Sequence, residues 1–395
     1  MKIKITVTLI ILIYSISIIQ AQNQKITRID GSEISTNYID STVIDLMKRA
    51  NIPGVALAIL NDNKISYLKT YGYKNELTSK LLDTSSIVYA ASFSKAVCAF
   101  MFMKLVEKGI MELDKPLYQY LKKPIPDYDN FSSLKGDERW KKITSRIVLN
   151  HTTGFPNVRW FDPTGKNPDY DSLGVVKIYF EPGLKYAYSG EGFKLLQLAM
   201  EERTGKSFDI LASELIFKPI GMLKSGYVWH ESFGEDLAIG HNEKKQQNIK
   251  RKRNIPVAGG SMVTTISDYA KFIQYLMQGK GLNSQSFAEM IKPQIKIYSK
   301  TQFPPISEET TDENSNIDLS YGLGWGVIKT EFGRAFFKEG GDDAWKNYNI
   351  NFVDRGISII IITNSVNGSR IFKELLEKLI ADTYTPWRWE EYIPI

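Results

Sequence analysis

Strand-type sequence at both ends of the chain encloses a long helical middle, and this arrangement restricts the fold more than any other feature. Tyr38 to Ala50 places Ile39, Val43, Ile44 and Met47 at helical spacing, and Asn51-Ile52-Pro53 stops that helix. Val55 to Leu60 is a short apolar run, Asn61-Asp62-Asn63 is turn chemistry and Ile65 to Tyr73 is rich in strand formers, so the pair reads as a hairpin. Near the other end, Arg334 to Glu339, Trp345 to Val353 and Ile357 to Thr363 read as three strands, with Asp354-Arg355-Gly356 as a tight turn. Ile371 to Ala381, carrying Leu375, Leu376, Leu379 and Ile380, closes the sequence with an amphipathic helix. Between residues 84 and 319, helical segments at 92–109, 191–204, 207–216 and 267–278 are separated by Pro-, Gly- and Asp-rich connections. The expected fold is α+β: a five-stranded antiparallel sheet made from both chain ends, flanked by the terminal helices, with a mostly helical lobe inserted beside it. A site between the two lobes is the natural place for chemistry.

The N-terminus carries Lys2 and Lys4, then an almost unbroken apolar stretch from Ile5 to Ile19, then small Ala21 before a polar segment. Residues 1–21 therefore read as a secretory signal peptide, since a 15-residue stretch is too short for the roughly 20 residues that span a bilayer. The expected layout is that leader, a polar lead-in at 22–35, one catalytic domain at 36–385 and an aromatic tail at 386–395, read as a packing cap over the last helix. Within the domain the α/β lobe takes 36–83 and 320–385 and the helical lobe 84–319. This layout implies a secreted or periplasmic protein with no stable membrane anchor once the leader is cleaved. A formal charge of +6 is too small and scattered to imply nucleic-acid binding, and the basic run Lys244 to Arg253 reads as a solvated loop. Cys98, the single cysteine, cannot form an intrachain disulfide, and with three histidines the chain lacks the ligands for a structural zinc site. No metal or cofactor is expected.

The strongest chemical signal is Ser92-Phe93-Ser94-Lys95 at the head of an apolar helix. A serine three residues before a lysine shares its helical face, and Ser-x-x-Lys is the nucleophile motif of serine β-lactamases and penicillin-binding proteins. The chemistry needs a hydroxyl beside a base, and lysine serves when burial and the positive helix end lower its pKa. A second copy, Ser132-Ser133-Leu134-Lys135, sits in a polar stretch with no apolar helix behind it and is set aside. Tyr186-Ala187-Tyr188-Ser189-Gly190 precedes another helix, and a tyrosine held there can act as a base or relay a proton. Lys338-Glu339-Gly340-Gly341 ends a strand, where a cation and glycines suit a substrate carboxylate and a closely approaching backbone amide.

Taken in order, Ser92-Phe93-Ser94-Lys95, Tyr188-Ser189-Gly190 and Lys338-Glu339-Gly340 resemble the three motifs of the serine β-lactamase-related superfamily, which holds class C β-lactamases, penicillin-binding proteins, esterases and D-amino-acid peptidases. Leu149 to Pro156, Pro256 to Met262 and Tyr321 to Gly326 agree with the same superfamily, and the likeness covers roughly residues 36–382. The resemblance implies that Ser92 attacks an acyl carbon while Lys95 and Tyr188 manage its proton, and that water then frees the acyl group. It further implies an oxyanion hole from the amides of Ser92 and Gly341, a substrate-binding Lys338 beside Gly340, and a His151 that holds its loop. Two positions depart from the pattern. Gly190 stands where Asn is common, which removes a hydrogen-bonding amide, and Glu339 stands where Thr or Ser is common. A Glu339 facing the cleft would repel an anionic β-lactam or peptide carboxylate, whereas a Glu339 turned away would leave Lys338 available.

The resulting expectation is an exported serine hydrolase that cleaves an ester or amide through an acyl-enzyme on Ser92, with a small ester, a β-lactam or a D-amino-acid peptide as substrate. The alternatives are a true β-lactamase or D-Ala-D-Ala carboxypeptidase, and a non-catalytic penicillin-binding or cell-wall-sensing module. An α/β-hydrolase is disfavoured because Gly259-Gly260-Ser261-Met262-Val263 does not complete a GxSxG elbow.

Overall fold

The structure, a computed structural model, describes residues 25–167, 174–249 and 252–395. The expected signal peptide at 1–21 lies outside the described residues. Part of the lead-in pairs with itself, Lys25–Thr27 against Glu33–Ser35, ahead of the first helix.

Helix α1 (Thr36–Ala50) starts where the Ser35 side chain accepts a hydrogen bond from the Tyr38 amide, and it ends at Asn51 in the left-handed conformation, φ 59°. The hairpin follows as β1 (Gly54–Asn61) and β2 (Lys64–Asn75), with Asp62 and Asn63 at positive φ in its turn. The three late strands are β7 (Gly333–Gly341), β8 (Lys346–Phe352) and β9 (Ile357–Thr363), and helix α5 (Ser369–Ile380) follows them. These five predicted strands form the middle of one antiparallel sheet, with β9 pairing to β1 as Ile361 to Leu57 and Ile359 to Ile59.

The sheet has nine strands, where five were expected. The additional ones are β3 (Lys80–Leu81), β4 (Ile295–Lys296), β5 (Ser320–Tyr321) and β6 (Gly326–Thr330), giving the order β4-β5-β6-β7-β8-β9-β1-β2-β3. Three of these have two residues each, too few for alternation to register in sequence, and they extend the edges of a core the long strands already define.

Alternate residues of the central strands divide between two hydrophobic layers. Leu57, Ile59, Ile359 and Ile361 face Val43, Leu46, Phe372 and Leu375 of the terminal helices. Ala56, Ala58, Ile360 and Ile362 face the inserted lobe. A sheet covered on both faces explains why β9 reads as a nearly continuous apolar run. On the inserted side, α2 (Phe93–Glu107) is buried on all sides from Phe93 to Met103, which makes it the central helix of that lobe. Beside it lie α3 (Gly190–Thr204) and α4 (Ile266–Met277). The segment expected at 207–216 forms Phe208–Ala212, then a wider π turn over Ser213–Phe217. Among the described residues, no helix is long and apolar enough to cross a membrane.

The tail caps the last helix, with Tyr392 edge-on to Phe372 at 5.2 Å, but it also runs on to the other lobe. Trp389 is fully buried, its ring 5.9 Å from Tyr186 and 6.5 Å from Phe337, and its indole N–H donates to Ser299 Oγ at 3.1 Å. Trp389→Ala is therefore expected to lower unfolding stability by about 3–5 kcal/mol, the cost of an emptied core site, as read by urea denaturation.

Candidate active site

The site is built where the head of α2 meets the end of β7. Just before α2, Ala90 is fixed by its amide donating to the Met262 carbonyl at 3.0 Å, and Ala91 adopts φ 47°. That left-handed turn costs an alanine about 1–2 kcal/mol, and it swings Ser92 onto the helix N-terminus. The Ser92 side chain makes no capping bond to its own helix. One turn later, Lys95 Nζ donates to Ser92 Oγ at 3.1 Å and to the Gly259 carbonyl at 2.6 Å. Lys95 is buried, and loss of water, followed by the Lys338 charge, lowers its pKa to about 7.

Tyr188 comes from the loop ahead of α3. The ring of His151 stacks on it with centroids 4.2 Å apart, and His151 Nδ1 accepts from the Ser189 amide at 3.0 Å. Burial, then the charges of Lys95 and Lys338, hold the His151 pKa well below its usual range, so the imidazole is neutral and braces the loop as an acceptor. The Tyr188 ring lies 4.8 Å from Lys95 Nζ, and its hydroxyl hydrogen-bonds Ser92 and accepts from Lys338 Nζ at 3.1 Å. Burial pushes the Tyr188 phenol well above its ordinary pKa.

Lys338 is fully buried and joins Tyr188 to the Glu339 carboxylate beside it in the strand. At Gly340 the strand passes so close to the helix end that a Cβ would lie 2.9 Å from the Ala90 carbonyl and 3.2 Å from the Ser92 amide. Only glycine permits that approach. Beyond it, the Asp342 amide donates to the Trp345 carbonyl at 3.0 Å, which makes the neighbouring Gly341–Lys346 pair a non-hydrogen-bonded one. The Gly341 N–H therefore points away from β8. On that side β6 has already ended, its last pair being Gly326 with Phe337. Gly341 and Ser92 both line the two cavities that meet here.

All six residues singled out in the sequence, Ser92, Lys95, Tyr188, Lys338, Gly340 and Gly341, come together. The two departures acquire a structural meaning. A side chain at Gly190 would meet the Asn157 carbonyl at 2.6 Å and its side-chain oxygen at 3.1 Å, so Asn157 occupies the space an asparagine at 190 would need. Asn157 lines both cavities beside Ser92. Its segment is anchored by Arg159, whose guanidinium donates to the buried Glu191 carboxylate at 2.6 Å. Sequence reasoning stopped one residue short of Asn157, at the end of the Leu149 to Pro156 segment. Glu339 lines the same cavity as Ser92, as do Glu390 and Glu391 from the tail. The tail's arrival had no local signal, because it depends on the course of a chain end across the sheet. Among the described residues, no cluster of His, Cys, Asp or Glu is arranged to hold a metal ion.

The Beta-lactamase family model matches residues 39–382. Penicillin-binding protein 4* of Bacillus subtilis (strain 168) is 23% identical over 79% of this chain and 68% of its own length. The D-alanyl-D-alanine-carboxypeptidase/endopeptidase AmpH of Escherichia coli (strain K12) is 22% identical over 84% of this chain and 85% of its own. Among solved structures, the octameric penicillin-binding protein homologue from Pyrococcus abyssi superposes with a TM-score of 0.71 at 18% identity, covering 91% of this chain and 80% of that one.

Because Asn157 already fills the space, Gly190→Asn is expected to displace the Asn157 segment and cost about 1–3 kcal/mol of stability, without creating cephalosporin turnover. Thermal unfolding and a chromogenic cephalosporin assay check both parts.

Proposed function

As the chain belongs to the Beta-lactamase family and is one of its serine hydrolases, we propose that it is an exported enzyme that cleaves an ester or amide through an acyl-enzyme on Ser92. The observation that carries this reading is the Lys95 ammonium, 3.1 Å from Ser92 Oγ and lowered by burial to a pKa of about 7. Near neutral pH a large share of Lys95 is uncharged and able to take a proton, while Tyr188 keeps its own. Lys95 is therefore the resting base and Tyr188 the relay.

In the proposed sequence, Ser92 Oγ attacks the acyl carbon as its proton passes to Lys95 Nζ. The negative charge on the acyl oxygen is held by the amides of Ser92 and Gly341. Collapse breaks the bond to the leaving group, which takes the proton back through Lys95 and Tyr188. Water then adds to the Ser92 ester, gives its proton to the same base, and releases the acid with the serine hydroxyl restored. Lys338, fully buried and paired with Glu339, holds the Tyr188 hydroxyl in register.

Export rests on the leader-like residues 1–21 and leads to a periplasmic or secreted location. A D-Ala-D-Ala carboxypeptidase or β-lactamase reading draws support from the names of the relatives. Against it stands Glu339, which lines the cavity with Ser92 and lowers the affinity expected for an anionic substrate.

Ser92→Ala is expected to reduce hydrolysis of a p-nitrophenyl ester by on the order of 10³-fold or more while unfolding stability changes by about 1 kcal/mol or less. Full activity in that variant would contradict the assignment. The wild-type kcat/KM should rise with pH through a limb near 7 as Lys95 loses its proton. Lys95→Ala should be nearly as damaging as Ser92→Ala, and the double variant no worse than either, as steady-state kinetics will read.

A further inference from the structure

The cavity of about 230 Å³ that holds both Ser92 and Lys95 shares Tyr89 and Arg253 with a larger cavity of about 450 Å³. Tyr89 lies shortly before Ser92, on the strand Val88–Tyr89, which pairs with Val263–Thr264 in the register Tyr89 to Val263. Its hydroxyl marks the threshold between the two spaces. It is 3.8 Å from where a Cβ on Gly260 would stand, and among the described residues beyond the chain neighbours nothing else comes within 4 Å of that point. Gly260 lines the Ser92 cavity, and the Gly259 carbonyl next to it accepts from Lys95 Nζ. A side chain at 260 would project into this open space, and glycine leaves it clear. Beyond the threshold the walls are Val228, Trp229, Leu237, Ile255 and Val263. Four of them are half-buried and Ile255 is 69% exposed. The two hydrophobic layers of the fold include none of the five. Apolar side chains gathered around an open cavity instead of a core mark a binding surface. Backbone bonds hold these walls in place: Val263 and Gly226 exchange N–H to carbonyl bonds at 2.9 and 3.1 Å, and the Trp229 amide donates to the Arg253 carbonyl at 2.7 Å. The Trp229 ring stands edge-on to Phe233 at 5.5 Å.

We propose that this larger cavity is an acyl-chain subsite, so that the enzyme selects esters of medium-chain fatty acids, about six to ten carbons long, over acetate esters. This rests on the Ser92 acyl-enzyme reading above and specifies its substrate class. The two sides of Ser92 divide the substrate between them. Tyr188, which returns the proton to the leaving group, lines the cavity on the β7 side, whereas Lys95 lines the one that leads past Tyr89. The leaving group therefore departs on the Tyr188 side, and the acyl group extends on the Lys95 side toward the apolar walls. The cations at the rim leave that path free of an unpaired buried charge: Lys252 is bonded to Glu235 at 2.6 Å, and Arg253 is exposed. A preformed apolar cavity gains from an alkyl chain without first reorganising, and each methylene that enters it leaves water.

The test compares p-nitrophenyl acetate, butyrate and octanoate on the wild type, Ser92→Ala, Trp229→Ala and Ile255→Glu. Octanoate extends acetate by several methylenes, and each one buried is worth about fourfold, so partial filling of the cavity already gives a kcat/KM at least about tenfold higher for octanoate than for acetate. Trp229→Ala and Ile255→Glu should each lower the octanoate-to-acetate ratio at least about threefold, since one removes a wall and the other puts a charge into it. Ile255 is exposed, so its variant carries the test should Trp229→Ala fail to fold. Ser92-dependent turnover with octanoate no faster than acetate, or a preference for octanoate that the folded variants keep unchanged, overturns the acyl-chain subsite and leaves the acyl-enzyme reading standing. No Ser92-dependent turnover of any of the three esters overturns that reading, and the subsite falls with it.

Discussion

A lysine ammonium buried against a serine hydroxyl is the interaction on which the rest of the site depends. Lys95 Nζ reaches the Gly259 carbonyl and Ser92 Oγ, and neither partner is a carboxylate. A buried cation with only neutral acceptors loses much of its hydration without a full countercharge, and its pKa falls to about 7. The neighbouring structure keeps it in that condition. Tyr188 and Phe193 cover the ammonium with ring faces at 4.8 and 5.7 Å, and His151, neutral and stacked, fixes Tyr188. The nearest acid in the strand, Glu339, is engaged by Lys338 rather than by Lys95.

Both ends of the chain are needed to make this contact. The sheet is assembled from the first hairpin and the last three strands, and it carries β7 to the N-terminus of a helix from the inserted lobe. Gly340 permits that approach, and Gly341 next to it lines the same two cavities as Ser92. The strain accepted at Ala91 serves the same geometry, since it turns the chain so that Ser92 leads α2 instead of being buried within it. The aromatic tail closes the remaining wall: Trp389 anchors it in the core, and Glu390 and Glu391 then reach the cavity beside Ser92.

The long strands and helices were legible because each has a period its burial enforces. Leu57 and Ile59 on one face and Ala56 and Ala58 on the other are the alternation of β1 made physical, and α5 shows its buried stripe directly in sequence. The two-residue edge strands were not legible, because pairing decides them and no local pattern does. The serine, lysine and tyrosine were readable from motif spacing, as was the close-packed glycine strand end. Asn157 was missed because its role arises from the absence of a side chain at Gly190, a relation across 33 residues that only folding creates. The direction of Glu339 depended in the same way on Lys338 and on the tail, and the sequence left both directions open.

The central claim is that Ser92 becomes acylated. Intact mass followed over time after mixing with a small activated ester, and separately with a penicillin, tests it on the wild type and on Ser92→Ala side by side. The account predicts an adduct of the acyl mass that forms and clears on the wild type with the ester and never forms on Ser92→Ala. An adduct of equal size on both proteins, or ester turnover by the wild type with no adduct on any timescale and no dependence on Ser92, would contradict it.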